Sequence, residues 1–165
     1  MMELFQNTIL MQAGMRIVSY RPELASVFRD LNIAWLEQYF YVEPVDRTML
    51  SQPELYILNK GGYIFFAEMQ GRIVGTFAFL KIGDGVFELS KMAVEEALRG
   101  QKIGTALLQF AIAKAKELGI EKLVLYSNTK LEPAIHLYKK FGFSEVDLGK
   151  TEYKRSDIKM EKSLP

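Results

Sequence analysis

Between Val94 and Ile103 the chain changes its hydrophobic period, and that switch fixes the class of fold. Before it, residues 63–69 and 72–81 are rich in aromatic and β-branched side chains and meet at Gln70-Gly71, the pattern of a hairpin. Gly83-Asp84-Gly85 makes a second turn into residues 86–94, so three antiparallel strands form a meander. After the switch, Ile103, Leu107, Phe110, Ala111 and Leu118 recur at helical spacing until Gly119, which is placed to end the helix. A meander that runs straight into a long amphipathic helix belongs to a mixed α/β domain.

The flanking segments extend this reading. Residues 15–20 alternate as a strand and meet Arg21-Pro22, where proline suits a first helical turn. From Leu24 the residues Val27, Phe28, Leu31, Ala34 and Trp35 predict one buried helical stripe running towards Tyr39. Residues 46–58 predict a second helix that Pro53 breaks in two, and Gly61-Gly62 punctuates the chain before the meander. Residues 123–126 predict a short strand, 133–141 a helix bounded by Pro133 and Gly142, and 143–146 and 158–161 two closing strands. The expectation is one domain over residues 15–165, with six to seven strands and about four helices, preceded by an N-terminal extension over 1–14. No internal repeat, linker or low-complexity tract divides it.

Composition narrows the chemistry. A chain of 165 residues, 49% apolar and 25% charged, buries enough surface to fold without a disulfide or a metal. With no cysteine and a single histidine, His136, thiolate-ligated zinc, thiol nucleophiles and the two-histidine metalloprotease helix are excluded. A net charge of +1 supplies no global field for nucleic acid or an anionic membrane, so an anionic ligand needs a local site. Residues 1–14 lack the basic start of an export signal, and no apolar run reaches membrane-spanning length. The protein is therefore expected in the cytoplasm, in agreement with its lack of cysteine.

The segment Val94-Glu95-Glu96-Ala97-Leu98-Arg99-Gly100-Gln101-Lys102-Ile103-Gly104-Thr105 suits an anion. The first N–H groups of a helix lack internal acceptors, the helix dipole is positive there, and glycine admits phosphate oxygens close to the backbone. Arg99 and Lys102 add cationic donors. A tight strand-to-helix connection with solvated basic residues has the same sequence. Neither the phosphate-loop nor the dinucleotide-binding glycine pattern fits.

This turn resembles that of the GNAT superfamily of N-acetyltransferases, whose [QR]-x-x-G-x-[GA] motif follows the fourth strand. Arg99-Gly100-Gln101-Lys102-Ile103-Gly104 matches it at Arg99 and Gly104, with Lys102 where the first glycine usually stands; Gln101-Lys102-Ile103-Gly104-Thr105-Ala106 matches throughout. Both registers share Gly104. A second signature of the family, A-I-x-L-Y-x-K-x-G-F, is present as Ala134-Ile135-His136-Leu137-Tyr138-Lys139-Lys140-Phe141-Gly142-Phe143. The resemblance covers residues 15–161 in element order, and its diagnostic part is 88–143.

The resemblance implies a GNAT-like, mostly antiparallel sheet and acetyl-CoA as acyl donor, with no metal. It implies that the strand before the turn splays from its neighbour. Met92, Ala93, Val94, Arg99, Gly100, Gln101, Lys102, Ile103, Gly104 and Thr105 are then the cofactor-binding residues, joined by Asn128 and Tyr138. The Met92 N–H would face the thioester oxygen, where a backbone donor stabilises developing negative charge. Tyr138 matches the family's usual general acid; a core tyrosine is the alternative. Glu88 is the candidate base, against an ordinary surface carboxylate, and a base is needed because an alkylamine with a pKa of about 10.4 is protonated at neutral pH. Asn128 is equally suited to a turn, and Leu131 stands where relatives often carry a second asparagine. Lys91 reads as a solvated or cofactor-side charge, and His136 as an exposed helix residue.

The loop between the first two helices commonly walls the acceptor site in this family, and here it carries Trp35, Glu37, Tyr39, Tyr41 and Glu43. Glu37, Tyr39 and Tyr41 are the expected substrate-binding residues, since aromatics beside carboxylates suit a cationic amine; Trp35 reads as core. Residues 153–157 are placed either to close the other side or to form an ordinary loop. The expected reaction is direct transfer from acetyl-CoA to a primary amine in a ternary complex, with a small molecule or peptide as acceptor and a monomer or homodimer as the working form. A non-catalytic acyl-CoA binding or sensing module, or a protein-interaction domain with a vestigial turn, would present a similar sequence.

Overall fold

The computed structural model describes residues 14–100 and 102–165; the expected N-terminal extension, apart from Gly14, and Gln101 lie outside the described residues. The strands are β1 (Met15–Ser19), β2 (Tyr63–Met69), β3 (Arg72–Gly83), β4 (Val86–Val94), β5 (Lys122–Ser127), β6 (Ser144–Val146) and β7 (Ile158–Ser163). The helices are α1 (Ala25–Tyr39), α2 (Pro44–Ser51), the single turn α3 (Pro53–Tyr56), α4 (Ile103–Glu117) and α5 (Glu132–Lys140). The strands form one sheet in the order β1-β2-β3-β4-β5-β7-β6. Only the β4–β5 pair is parallel, because α4 is the crossover that parallel neighbours require.

Helices cover both faces of the sheet, which explains why its central strands read as nearly continuous apolar runs. Phe65, Phe77 and Phe79 turn to one face and join Leu107, Leu108 and Ala111 of α4. Ile64, Phe66, Ala78 and Leu80 turn to the other and join Phe28 and Leu36 of α1, Leu50 of α2 and Ile57. The α1 stripe differs from expectation: Phe28, Asn32 and Leu36 form the buried face, whereas Ala34 is exposed. The Asn32 amide tolerates burial because it donates to the Phe28 carbonyl at 3.0 Å.

Two helix starts rest on local backbone chemistry. The second helix begins at Pro44, two residues before the expected start, because Glu43 and Asp46 organise its first turn around a proline. Pro53 divides it as expected, opening α3 after Gln52. The helix after the glycine-rich turn begins at Ile103, since Lys102 takes a left-handed conformation at its N-cap, φ +62°.

The feature that makes the cleft is a ladder that stops early. β4 pairs with β5 only from Val86↔Lys122 to Glu88↔Val124, while β3 follows β4 up to Val94. β5 meanwhile keeps its full antiparallel ladder with β7, so the sheet parts beyond Glu88. Just there β4 carries an extra residue: Thr76 pairs with Ala93 and Ala78 with Ser90, and Lys91 relieves the mismatch at φ +54°. Such a bulge bends the strand and redirects its backbone groups. Among the described residues no helix is long and apolar enough to cross a membrane.

Candidate functional site

Below the parted strands the turn expected to hold an anion is intact in form. A short 3-10 turn, Glu96–Leu98, leads to Gly100 at φ +89° and to Lys102 at the N-cap of α4. The N-cap has no side-chain hydrogen bond and the first turn holds no acidic residue, so among the described residues no side chain caps the positive end of the helix. A Cβ built on Gly104 would meet nothing within 4 Å, which leaves its backbone accessible from the groove beside it. That groove has a volume of about 500 Å³ and is lined by Met92, Ala93 and Val94 of β4, by Arg99, Gly100, Lys102, Ile103, Gly104 and Thr105 of the turn, and by Pro133, Leu137 and Tyr138 of α5. The residues fit a phosphate-bearing cofactor: cationic side chains and free helix N–H groups at one end, apolar walls along the rest. Arg99 is braced towards α1, donating to the Val94 carbonyl at 3.1 Å and to the Gln38 amide oxygen, with its guanidinium 5.4 Å from the centre of the Tyr39 ring.

Where β4 and β5 part lies a second pocket, of about 130 Å³. Residues 88–92 form its β4 wall and 125–128 its β5 wall; Asn32, Trp35, Leu36 and Phe40 close it from α1, and Tyr153, Arg155 and Ser156 from the tail. Trp35, Met92, Ala134 and Tyr138 line both this pocket and the cofactor groove, so the two join at the expected oxyanion donor and the expected acid. Tyr138 keeps partial exposure to the cleft, its ring edge-on to Phe143 at 6.0 Å, and burial pushes its hydroxyl above the usual tyrosine range.

Glu88 is not a surface carboxylate. It is 7% exposed, at the last β4–β5 pair, and its Oε2 accepts from the Tyr153 hydroxyl at 3.1 Å. Burial raises its pKa, and hydrogen bonds from Ser90 and Tyr153 together with the charge of Lys91 only partly offset the rise. A raised pKa makes a carboxylate a stronger proton acceptor.

Lys91 corrects the sequence reading. It is buried, 8% exposed, and its Nζ lies 3.0 Å from Asp46 Oδ1 and 4.8 Å from the centre of the Tyr153 ring. The bulge explains this, because the extra residue turns Lys91 to the α2 face. Asp46 also takes both ends of the Arg155 guanidinium, at 2.5 and 3.0 Å, and Arg155 reaches Glu43 at 2.7 Å. Burial alone would raise the Asp46 carboxyl, but Arg155 and Lys91 outweigh it and hold the group below its ordinary range.

Of the other expected residues, Asn128 lines the pocket between the parted strands rather than the groove at the glycine-rich turn, its amide donating to the Arg155 carbonyl at 2.7 Å and its oxygen accepting from the Lys130 N–H at 2.9 Å. Glu37, Tyr39 and Tyr41 line neither cavity; Trp35 and Phe40, their neighbours on the same helix end, do. Trp35 is thus half-buried cleft wall rather than core. The tail does close the pocket, and His136 is exposed. Sequence reasoning missed Asp46 as a cleft residue, and gave Tyr153 and Arg155 a place in the tail but no individual role. The Glu43-Pro44-Val45-Asp46 helix start was a readable signal for Asp46, but its partner in the tail, 109 residues away, was not. Among the described residues no three histidine, aspartate or glutamate side chains gather as metal ligands.

Comparison with known proteins agrees with this geometry. Residues 27–143 match the model of the acetyltransferase (GNAT) family. An uncharacterized N-acetyltransferase of Escherichia coli, YjgM, is 29% identical over 118 residues, which cover 67% of this chain and 71% of the relative. A GNAT-family acetyltransferase from Staphylococcus aureus Mu50 shares the fold with a TM-score of 0.81 at 23% identity, over 92% of this chain and 99% of that one. The PaiA N-acetyltransferase of Thermoplasma acidophilum, solved in complex with coenzyme A, superposes with a TM-score of 0.71 at 21% identity, over 91% and 99% of the two chains. The seven strands among the described residues, the mixed sheet and its split are those expected from the resemblance. With the family model covering most of the sheet and both signature segments, the chain belongs to the GNAT family and is an acyltransferase that moves an acyl group from acyl-CoA to an amine.

Proposed function

We propose that the protein transfers the acetyl group of acetyl-CoA directly to a primary amine while both are bound. The observation that carries this reading is the continuity of the two cavities: donor groove and reaction pocket meet at Met92 and Tyr138, with Glu88 in the lining of the pocket. The ammonium loses a proton to Glu88, and the amine nitrogen then bonds to the thioester carbon. The Met92 N–H, presented by the bulge, stabilises the negative charge on the carbonyl oxygen. As the carbon–sulfur bond breaks, Tyr138 donates its proton to the thiolate, the nitrogen's second proton returns to the Tyr138 oxygen and Glu88 releases its proton to solvent, leaving the amide and free CoA. Gly100, Lys102, Gly104 and Thr105 hold the pyrophosphate at the α4 terminus. Small amines fit the narrow pocket, and the cysteine-free composition agrees with work in the cytoplasm.

Calorimetric titration with acetyl-CoA tests the donor site. The wild type is expected to bind saturably, and Gly104→Glu, whose side chain fills the groove with like charge, is expected to weaken binding by at least 100-fold. Equal affinities would place the cofactor elsewhere. Turnover with a panel of primary amines then separates transfer from mere acyl-CoA binding.

A further inference from the structure

Behind the reaction pocket lies a third cavity, of about 350 Å³, that shares no lining residue with the cofactor groove. It shares Glu88, Tyr126 and Tyr153 with the reaction pocket, so the hydrogen bond between Glu88 and Tyr153 stands on the partition between the two. Its walls include the apolar side chains of Met49, Ile57, Leu80 and Ile82, and Ile82 is 52% exposed at the mouth. Its volume lies in the range of small-molecule sites.

At the exposed rim of this cavity cations outnumber carboxylates. Lys60, Lys81 and Lys150 all line it and all are exposed, facing the single rim carboxylate of Glu152. None of the three lysines makes an ion pair among the described residues; Lys60 rests over the Tyr56 ring at 5.3 Å, and the Lys81 stem lies against Gly61. Cations at the mouth of an apolar cavity focus a positive potential on it and draw in anions. At the inner end is Glu88, the group proposed to accept the proton of an amine.

We infer that the acceptor is a small amine with an anionic group at its far end, held by Lys60, Lys81 and Lys150 while its body lies on the apolar walls and its amine reaches Glu88. The inference rests on the acetyl-transfer reading for the role of Glu88, and it excludes polyamines, whose second cation would face three lysines. The amine reaches the thioester by replacing the Tyr153 hydroxyl on Glu88.

The test uses three series of increasing length, ω-aminocarboxylates with the corresponding ω-aminoalkyl phosphates, n-alkylamines, and α,ω-diamines, titrated into the protein saturated with CoA and assayed for acetylation with acetyl-CoA. At the best length the anionic series is expected to bind at least 10-fold more tightly than the alkylamine, with the diamine weakest, and the advantage is expected to shrink as salt is raised. Whether carboxylate or phosphate binds better then identifies the anion. A chain carrying Lys60→Gln, Lys81→Gln and Lys150→Gln together, confirmed as folded by its thermal midpoint, is expected to bind anionic amines no better than alkylamines. Equal binding of the three series by the wild type, a preference for diamines, or an anion preference that survives the triple substitution would overturn the inference. Selective binding of anionic amines without acetylation would support this site and count against the transfer reading instead.

Discussion

Glu88 and Tyr138 line the same pocket, and both have pKa values raised chiefly by burial, with opposite consequences for catalysis. A base must be ionised, so kcat/KM should rise with pH through a pKa above the ordinary carboxylate range. Glu88→Gln is expected to remove that limb and to lower kcat by about 10²–10⁴-fold while the affinity for acetyl-CoA persists. A profile with the same acidic limb in the variant would pass the role of base to a water chain. An acid must be protonated, and the raised Tyr138 pKa keeps its proton through neutral pH; Tyr138→Phe is expected to lower kcat by a similar order without loss of acetyl-CoA binding, as calorimetry would show. Tyr138 could be found in the sequence because the motif around it is local. The burial of Glu88 could not, because a glutamate in an alternating strand is buried only when the opposite face is covered, here by Tyr153 from 65 residues away.

At the scale of elements, sequence and structure agree at Gly119 and Pro53, where local backbone chemistry sets the boundary and which the structure places at φ +75° and at the opening of α3. They diverge where a tertiary partner decides, as with Ala34 and Asn32 on α1 or the buried Lys91 at the bulge. Gly62 shows how a local signal can have a tertiary cause. Its φ is ordinary, yet a Cβ there would stand 2.5 Å from the Phe79 carbonyl oxygen and 2.8 Å from that of Ile57, so the chain between α3 and β2 lies directly on the backbone of β3. Neither oxygen belongs to a side chain that can swing away. Gly62→Ala is therefore expected to destabilise the fold by about 1–3 kcal/mol, as overpacking does. Urea unfolding would measure it, and an unchanged midpoint would mean that β2 and β3 can separate without penalty.

Charge joins segments of the molecule that lie far apart in the sequence, beside the apolar packing of the two cores. Asp46 brings together α2, the bulge of β4 through Lys91 and the tail through Arg155, and it is fully buried where those three segments form one side of the cleft. Removing one member of such a group leaves its partners charged and unmatched, which typically costs about 3–5 kcal/mol. Asp46→Asn is expected to fall in that range and to reduce kcat as well, because the Lys91 anchor sets the bulge that presents Met92. The pH dependence follows from the sign of the shift. The folded-state pKa of Asp46 is depressed below its unfolded value, so its stabilisation is complete above the ordinary carboxylate range and is lost as pH falls through the folded value. Wild-type stability should therefore drop steeply on acidification below about pH 4, the ordinary carboxylate range, and Asp46→Asn, already deprived of that contribution, should show a shallower acid limb. Denaturant unfolding of both proteins across the acid range decides the matter: parallel curves would mean that other carboxylates, not Asp46, carry the acid sensitivity of the fold.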